Sequence, residues 1–138
     1  MKIYKKIALA AILAVSVAGF ADLSAKNKCV PKMYAFGFAA SFNDSTVHMT
    51  DIQEIDSVWI NDKNKFLVDR EDYSYQLRNY FENKGLSHRT CVISFALKYK
   101  DAVKKYNKLR NKYIKRGNVD IKNISKDEFK FTAIKPQE

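Results

Sequence analysis

Residues 89–97, RTCVISFAL, constrain the fold more than any other stretch of this 138-residue chain. The stretch is short, contains β-branched and aromatic residues and is bounded by polar ones, a pattern that predicts an interior strand. Bulky side chains alternate along it with small or polar ones, namely Cys91, Ile93, Phe95 and Leu97 against Thr90, Val92, Ser94 and Ala96. Because successive side chains of a strand point to opposite faces of its sheet, this alternation predicts one bulky face and one thin face.

A second stretch, residues 33–42, repeats the division, with bulky residues at its even positions and mostly small ones at its odd positions. Further strands are predicted at residues 46–51, 55–60 and 128–134, with a weaker run at 119–124, and helices are predicted at 69–84 and 98–116. Gly85 and Gly117 follow the two helices, at the position where a left-handed residue commonly ends a helix.

This order of elements, β-β-β-α-β-α-β, predicts a single α+β domain. We expect a two-layer sandwich, with a mixed sheet of about five strands and both helices on the bulky face. The thin face is then expected to be open to solvent or to a partner. It would carry Ala35, Gly37, Ala39, Thr90, Val92, Ser94 and Ala96.

Residues 1–25 have the organisation of a secretory signal peptide. They begin with three lysines in six residues, continue with an apolar run over residues 7–18 and end in small residues up to Ala25. The run is shorter than the roughly 20 apolar residues that a membrane-spanning helix needs. We therefore expect cleavage after Ala25, with Ala21 as the alternative, and export of residues 26–138 as one periplasmic or secreted domain without a transmembrane span.

Two cysteines remain after that cleavage, Cys29 and Cys91. An oxidising compartment would permit a disulfide between them, which in the chain-entropy model stabilises a fold by about 4 kcal/mol for a long loop. The alternative is a free Cys91 packed as a small hydrophobic residue, with Cys29 near the new N-terminus. Both interpretations stay open at the level of sequence, because bond formation depends on geometry.

Four segments resemble a group of small exported bacterial proteins of unknown function. These segments are FGFAASFNDS at 36–45, TDIQ at 50–53, YSYQLRNYF at 73–81 and RTCVISF at 89–95. The resemblance extends over most of residues 26–138. It implies export and a bacterial source, and it implies no activity and no site residues.

The net charge is concentrated in one predicted helix. Residues 98–116 contain nine basic residues and one acidic residue, whereas the rest of residues 26–138 contains 13 of each. Residues 43–72 lean the other way, with eight acidic and three basic residues. A basic helix attracts polyanions through its electrostatic field, although a charged helix can also be no more than a solvated surface.

We predict that five lysines of this helix contact an anionic partner in the cell envelope: Lys104, Lys105, Lys108, Lys112 and Lys115. Anionic lipid headgroups, phosphorylated glycans and acidic proteins are partners of this kind. Nucleic acid is not expected. The tyrosines at positions 99, 106 and 113 are seven residues apart on the apolar side of the helix, so they would face the core instead of stacking on bases.

Catalytic and metal signatures are weak. His88 precedes Cys91 by three residues, so on a strand the two side chains point to opposite faces and cannot form a local catalytic pair. No serine lies in a Gly-x-Ser-x-Gly turn, and His48 lacks the paired ligand spacing of a zinc site. We therefore expect no enzyme activity, no cofactor and no metal.

Three hypotheses for function follow from these observations. The leading one is a non-enzymatic binding module that uses the basic helix. The second is an accessory or inhibitor-like protein that binds a protein partner through the open sheet face. The third is a small hydrolase. Nothing in the sequence predicts an oligomeric state.

Overall fold

The computed structural model describes residues 26–136, so the predicted signal peptide at residues 1–25 lies outside the described residues. The elements are β1 (Asn27–Ala40), β2 (Thr46–Thr50), β3 (Gln53–Asn61), α1 (Arg70–Asn83), β4 (Thr90–Ala96), α2 (Tyr99–Arg116) and β5 (Asp120–Ile124). They form a mixed sheet of five strands with two helices, which confirms the α+β class and the predicted order of elements.

The long strand β1 lies at the centre of the sheet. Its residue Ala35 pairs with Gln53 of β3 and with Phe95 of β4, so β3 and β4 lie along opposite edges of β1. Strand β2 pairs with the end of β1 on the same edge as β3, and β5 pairs in parallel with β2. At the junction of β2 and β3, the chain contains one more residue than the part of β1 that lies opposite. This extra residue makes a β-bulge.

Strand β4 was expected in the interior of the sheet, and that expectation is wrong. In the part of the chain that the structure describes, β4 pairs with β1 alone and is an edge strand. Apolar residues on both faces of a strand indicate that other side chains cover both of these faces. They carry no information about whether the backbone groups along each edge are paired.

The two helices lie on opposite faces of the sheet, which corrects the expectation that both cover one face. Helix α1 packs on the odd residues of β1, and a Cβ atom built on Gly37 would lie 2.6 Å from Cδ2 of Leu77. Helix α2 packs on the even residues. Its tyrosine rings contact those of β1 in three pairs, Tyr99 with Tyr34, Tyr106 with Phe36, and Tyr113 with Phe38.

The register of β1 against β4 explains the correction. Gly37 pairs with Ile93 and Ala35 with Phe95, so the small residues of one strand lie beside bulky residues of the other. Each face therefore has large side chains to bury, and each receives a helix. The thin face predicted from the two strands is not open, since Ala35 and Ala39 are fully buried beneath α1.

Residues 128–134 do not form the predicted last strand, and the weaker run at 119–124 supplies β5 instead. The segment lies extended on the α1 face with Phe129 and Phe131 buried. Glutamine side chains take the place of a neighbouring strand. The Gln53 amide donates to the Phe129 carbonyl at 2.8 Å and accepts from the Phe131 N–H at 2.8 Å. The Gln76 amide makes the same pair of bonds with Thr132.

Candidate anion-binding groove

Helix α2 rests on the sheet through aromatic rings and leaves its charged residues outside. Only Ala102 is buried in this helix, while Tyr106, Leu109 and Tyr113 are half-buried against the sheet. Gly117 ends the helix with a φ of 71°, a conformation that residues with a Cβ rarely adopt. The basic residues of the last turn, Lys115 and Arg116, complement the negative end of the helix dipole.

A groove with a volume of about 760 Å³ runs between α2 and β4. Four of the five predicted lysines line it, namely Lys105, Lys108, Lys112 and Lys115. Their spacing of three, four and three residues places them in one row along the helix. Apolar side chains that include Phe38, Val92 and Leu109 form the other part of its wall. The groove therefore combines a cationic row with an apolar surface.

Lys104 is the one of the five predicted lysines that the structure does not place in this groove. It is exposed and lies beside a separate depression formed with Phe66 and Leu97. Lys104 precedes Lys108 by four residues, so it lies on the same side of the helix, one turn closer to the helix start. At that end of the helix it lines the neighbouring depression, which Lys105 also borders.

The lysines of the groove have no neutralising carboxylate among residues 26–136. Five ion pairs join described side chains, and none of them includes a residue of α2. The acidic residues pair elsewhere, for example Asp62 with Lys28 and Lys65, and Asp44 with Arg89. The positive charges of α2 therefore act together on any anion that approaches.

Two cationic side chains, one from each helix, hold the outer edge of β4. Nζ of Lys105 donates to the Phe95 carbonyl at 2.7 Å, and Nη2 of Arg70 donates to the Ile93 carbonyl at 3.1 Å. Each cation also lies 5.5 Å from the centroid of the Phe95 ring, within the range of a cation–π contact. Arg70 was not predicted to take part in the site, because nothing in its local sequence pattern connects it to Ile93, which lies 23 residues further along the chain.

Cys29 and Cys91 are both free thiols, so of the two interpretations that the sequence left open, the structure favours the one without a disulfide between them. Cys29 lies in β1, and Cys91 pairs with Ala39 of the same strand. Positions 29 and 39 are ten steps apart along the strand, about 33 Å at the usual rise. A disulfide needs Cα atoms within about 7 Å.

The cleft around Cys91 does not have the properties of a nucleophilic site. It is lined by Ser74, Tyr75, Arg78 and His88, among others. Burial raises the pKa of the Cys91 thiol to about 11, so the reactive thiolate is scarce near neutral pH. The Sγ atom of Cys91 contacts the Arg89 carbonyl at 3.9 Å.

His48 is buried on the α1 face of the sheet, which is the face opposite the groove. Its ring lies 4.9 Å from that of Phe81, and its Nδ1 atom has no hydrogen-bond partner among the described residues. Burial lowers the pKa of His48, and the nearby charges of Arg89 and Lys122 lower it further. Within residues 26–136, no three His, Cys, Asp or Glu side chains stand together as a metal site would require.

No helix among the described residues is long and apolar enough to cross a membrane. No protein-family model, curated protein or solved structure matches this chain.

Proposed function

We propose that this chain is a non-enzymatic binding module of the bacterial envelope and that helix α2 contacts an anionic partner there. The observation that carries the proposal is the row of Lys105, Lys108, Lys112 and Lys115 along one groove, with no carboxylate paired to it among residues 26–136. Export is part of the proposal, and it is supported by the basic, apolar and small-residue order of residues 1–25.

The chemistry of lysine suits this role. An ammonium group is a compact, strongly hydrated charge on a flexible stem, so it attracts many kinds of anion without demanding one geometry. Several such charges in a row raise the rate of encounter with an anionic partner, and added salt screens the attraction. Binding through α2 is therefore expected to be fast and sensitive to salt.

Titration of the folded protein with polyglutamate, at increasing concentrations of sodium chloride, tests the proposal. We expect binding that weakens steeply as salt rises. The double variant Lys108→Glu, Lys112→Glu should reduce affinity at low salt by about tenfold or more, because it places two repelling charges in the groove.

The matched control is Lys100→Glu, Arg110→Glu, which changes the net charge of the same helix by the same amount at two exposed positions outside the groove. A loss in the groove variant that clearly exceeds the loss in the control supports a site in the groove. Equal losses would show that net charge alone attracts polyglutamate. No salt-sensitive binding by the unmodified protein would contradict the proposal.

A further inference from the structure

We infer that the groove between α2 and β4 takes an extended acidic peptide segment, which pairs with the outer edge of β4 as an added strand. This inference rests on the proposed function and names the chemical class of the partner. It depends on three features of the groove, which are a strand edge that no other strand of residues 26–136 pairs with, two cations that donate hydrogen bonds to that edge and a row of lysines of matching length.

The first feature is the direction of the backbone groups of β4. The Gly37 N–H donates to Oγ1 of Thr50 at 2.8 Å, so the backbone of Gly37 is directed towards β2 and away from β4. Ile93 pairs with Gly37, and in an antiparallel ladder its own N–H and carbonyl must then point outwards. Cys91 and Phe95 share this direction because hydrogen bonding alternates along a strand. Their outward groups are the ones that an added strand would use.

The second feature is the way this edge is occupied in the structure. The outward carbonyls of Ile93 and Phe95 accept hydrogen bonds from Arg70 and Lys105. Charged side chains on an edge strand commonly prevent uncontrolled pairing with other chains. An incoming peptide would replace them with its own N–H donors. Carboxylates on that peptide would then give the released guanidinium and ammonium groups new partners, which a neutral peptide would not.

The third feature is the match in length between strand and helix. The outward residues of β4 run from Cys91 to Phe95, a distance of about 13 Å at the usual rise of a strand. The lysine row runs from Lys105 to Lys115, about 15 Å along the helix. A strand of about five residues would fit between them, with alternate side chains directed at the lysines. A groove between an edge strand and a helix is an arrangement used elsewhere for adding a peptide strand.

An alternating peptide of glutamate and valine, capped at both ends, is a suitable probe. Two analogues carry N-methyl groups, one on every glutamate amide and the other on every valine amide. Both keep the charge and the side chains of the parent peptide. In a strand, all the glutamate N–H groups point to one edge and all the valine N–H groups to the other.

Only one of the two analogues should therefore lose affinity, by about tenfold or more, because N-methylation removes the donors that face β4 in that analogue alone. Amide hydrogen exchange should slow at Ile93 and Phe95 when the parent peptide binds. Vesicles containing an anionic phospholipid serve as the second arm of the experiment, since a membrane would use the lysines without the strand edge.

Each outcome bears on the inference. One weakened analogue together with slowed exchange at Ile93 and Phe95 supports it. If both analogues bind as the parent does, the strand pairing is overturned while salt-sensitive anion binding stands. Binding to vesicles without binding to the peptide overturns the inference in favour of a membrane surface. Failure of the peptide, the vesicles and polyglutamate alike overturns both the inference and the proposed function.

Discussion

Helices α1 and α2 are both amphipathic and rich in tyrosine, yet they contribute to this molecule in different ways. Tyr73, Leu77 and Phe81 of α1 are at most 2% exposed, whereas Ala102 alone is buried in α2. The C-terminal segment covers α1 further through the side chains of Gln53 and Gln76. The comparison indicates that α1 is a core element and that α2 is anchored by its aromatic rings and displays its charges.

The charges of the two helices differ in the same way. Helix α1 contains acidic and basic residues, and Arg78 pairs with Glu82 one turn later at 3.3 Å. Residues 98–116 carry nine basic residues and one acidic residue. Like charges three or four residues apart in a helix destabilise it by roughly 0.2–0.5 kcal/mol per pair. The arrangement in α2 is therefore unfavourable in the free protein and would be relieved by a bound anion.

The largest expected effect separates the two helices by one identical substitution. Leu77→Ala in α1 should lower the free energy of unfolding by about 3 kcal/mol, because it removes fully buried methyl groups and leaves a cavity. Leu109→Ala in α2 should lower it by about 1 kcal/mol, because Leu109 is already half-exposed. Urea unfolding of both variants measures the difference. Equal losses would show that α2 belongs to the core as much as α1 does.

A smaller effect is expected where α1 approaches the sheet most closely. Gly37→Ala adds a methyl group where a Cβ would lie 2.6 Å from Leu77 and 3.0 Å from Phe131. We expect a loss of about 1–3 kcal/mol from overpacking. In the double variant Gly37→Ala, Leu77→Ala, the added methyl group fills part of the space that Leu77 leaves. In urea unfolding, the double variant should then lose less stability than the sum of the losses in the two single variants. A loss equal to that sum would contradict this contact.

Acidification should weaken the α1 face before it affects α2. Because the pKa of His48 is lowered in the folded protein, the unfolded chain binds its proton more readily, and stability falls as the pH drops below about 6.5. Carboxylates such as Asp44, whose pKa is also lowered, add a separate loss below about pH 4. His48→Gln should abolish the loss between pH 6.5 and 5 in denaturant titrations, with His88→Gln as the exposed control. A His48→Gln variant that keeps this loss would exclude His48 as its cause.

The smallest expected effects have opposite signs in the two helices. Lys112→Gln in α2 should raise stability by a few tenths of a kcal/mol at low salt, because it removes repulsion from Lys108 one turn away. Arg78→Gln in α1 should lower stability by a similar amount, because it removes the pair with Glu82. High salt should abolish both changes. A loss of stability in both variants would indicate that the lysines of α2 have partners in the folded chain.

Part of the candidate site was accessible from sequence. The five predicted lysines form a local pattern, and four of them line one groove because they share one side of a helix. The strand that forms the opposite wall was predicted as well, but at the wrong place in the sheet. Arg70 and the half-buried Phe38 were not predicted as neighbours of the groove, because they reach it from elements far away along the chain.

The sequence by itself determined the type and order of the elements from β1 to α2, the ends of the helices and the concentration of charge on α2. These properties follow from contacts between residues close in the chain, such as the periodic spacing of apolar side chains and the positive φ of Gly85 and Gly117.

Only the tertiary structure decided that the helices lie on opposite faces, that β4 is an edge strand and that the two cysteines are far apart. The tertiary structure also brings the Gln53 side chain to Phe129, 76 residues further along the chain. The physical reason is the same in each case. The periodic spacing of apolar residues indicates that a side chain is buried. Which residues bury it depends on the register between strands that are distant in sequence.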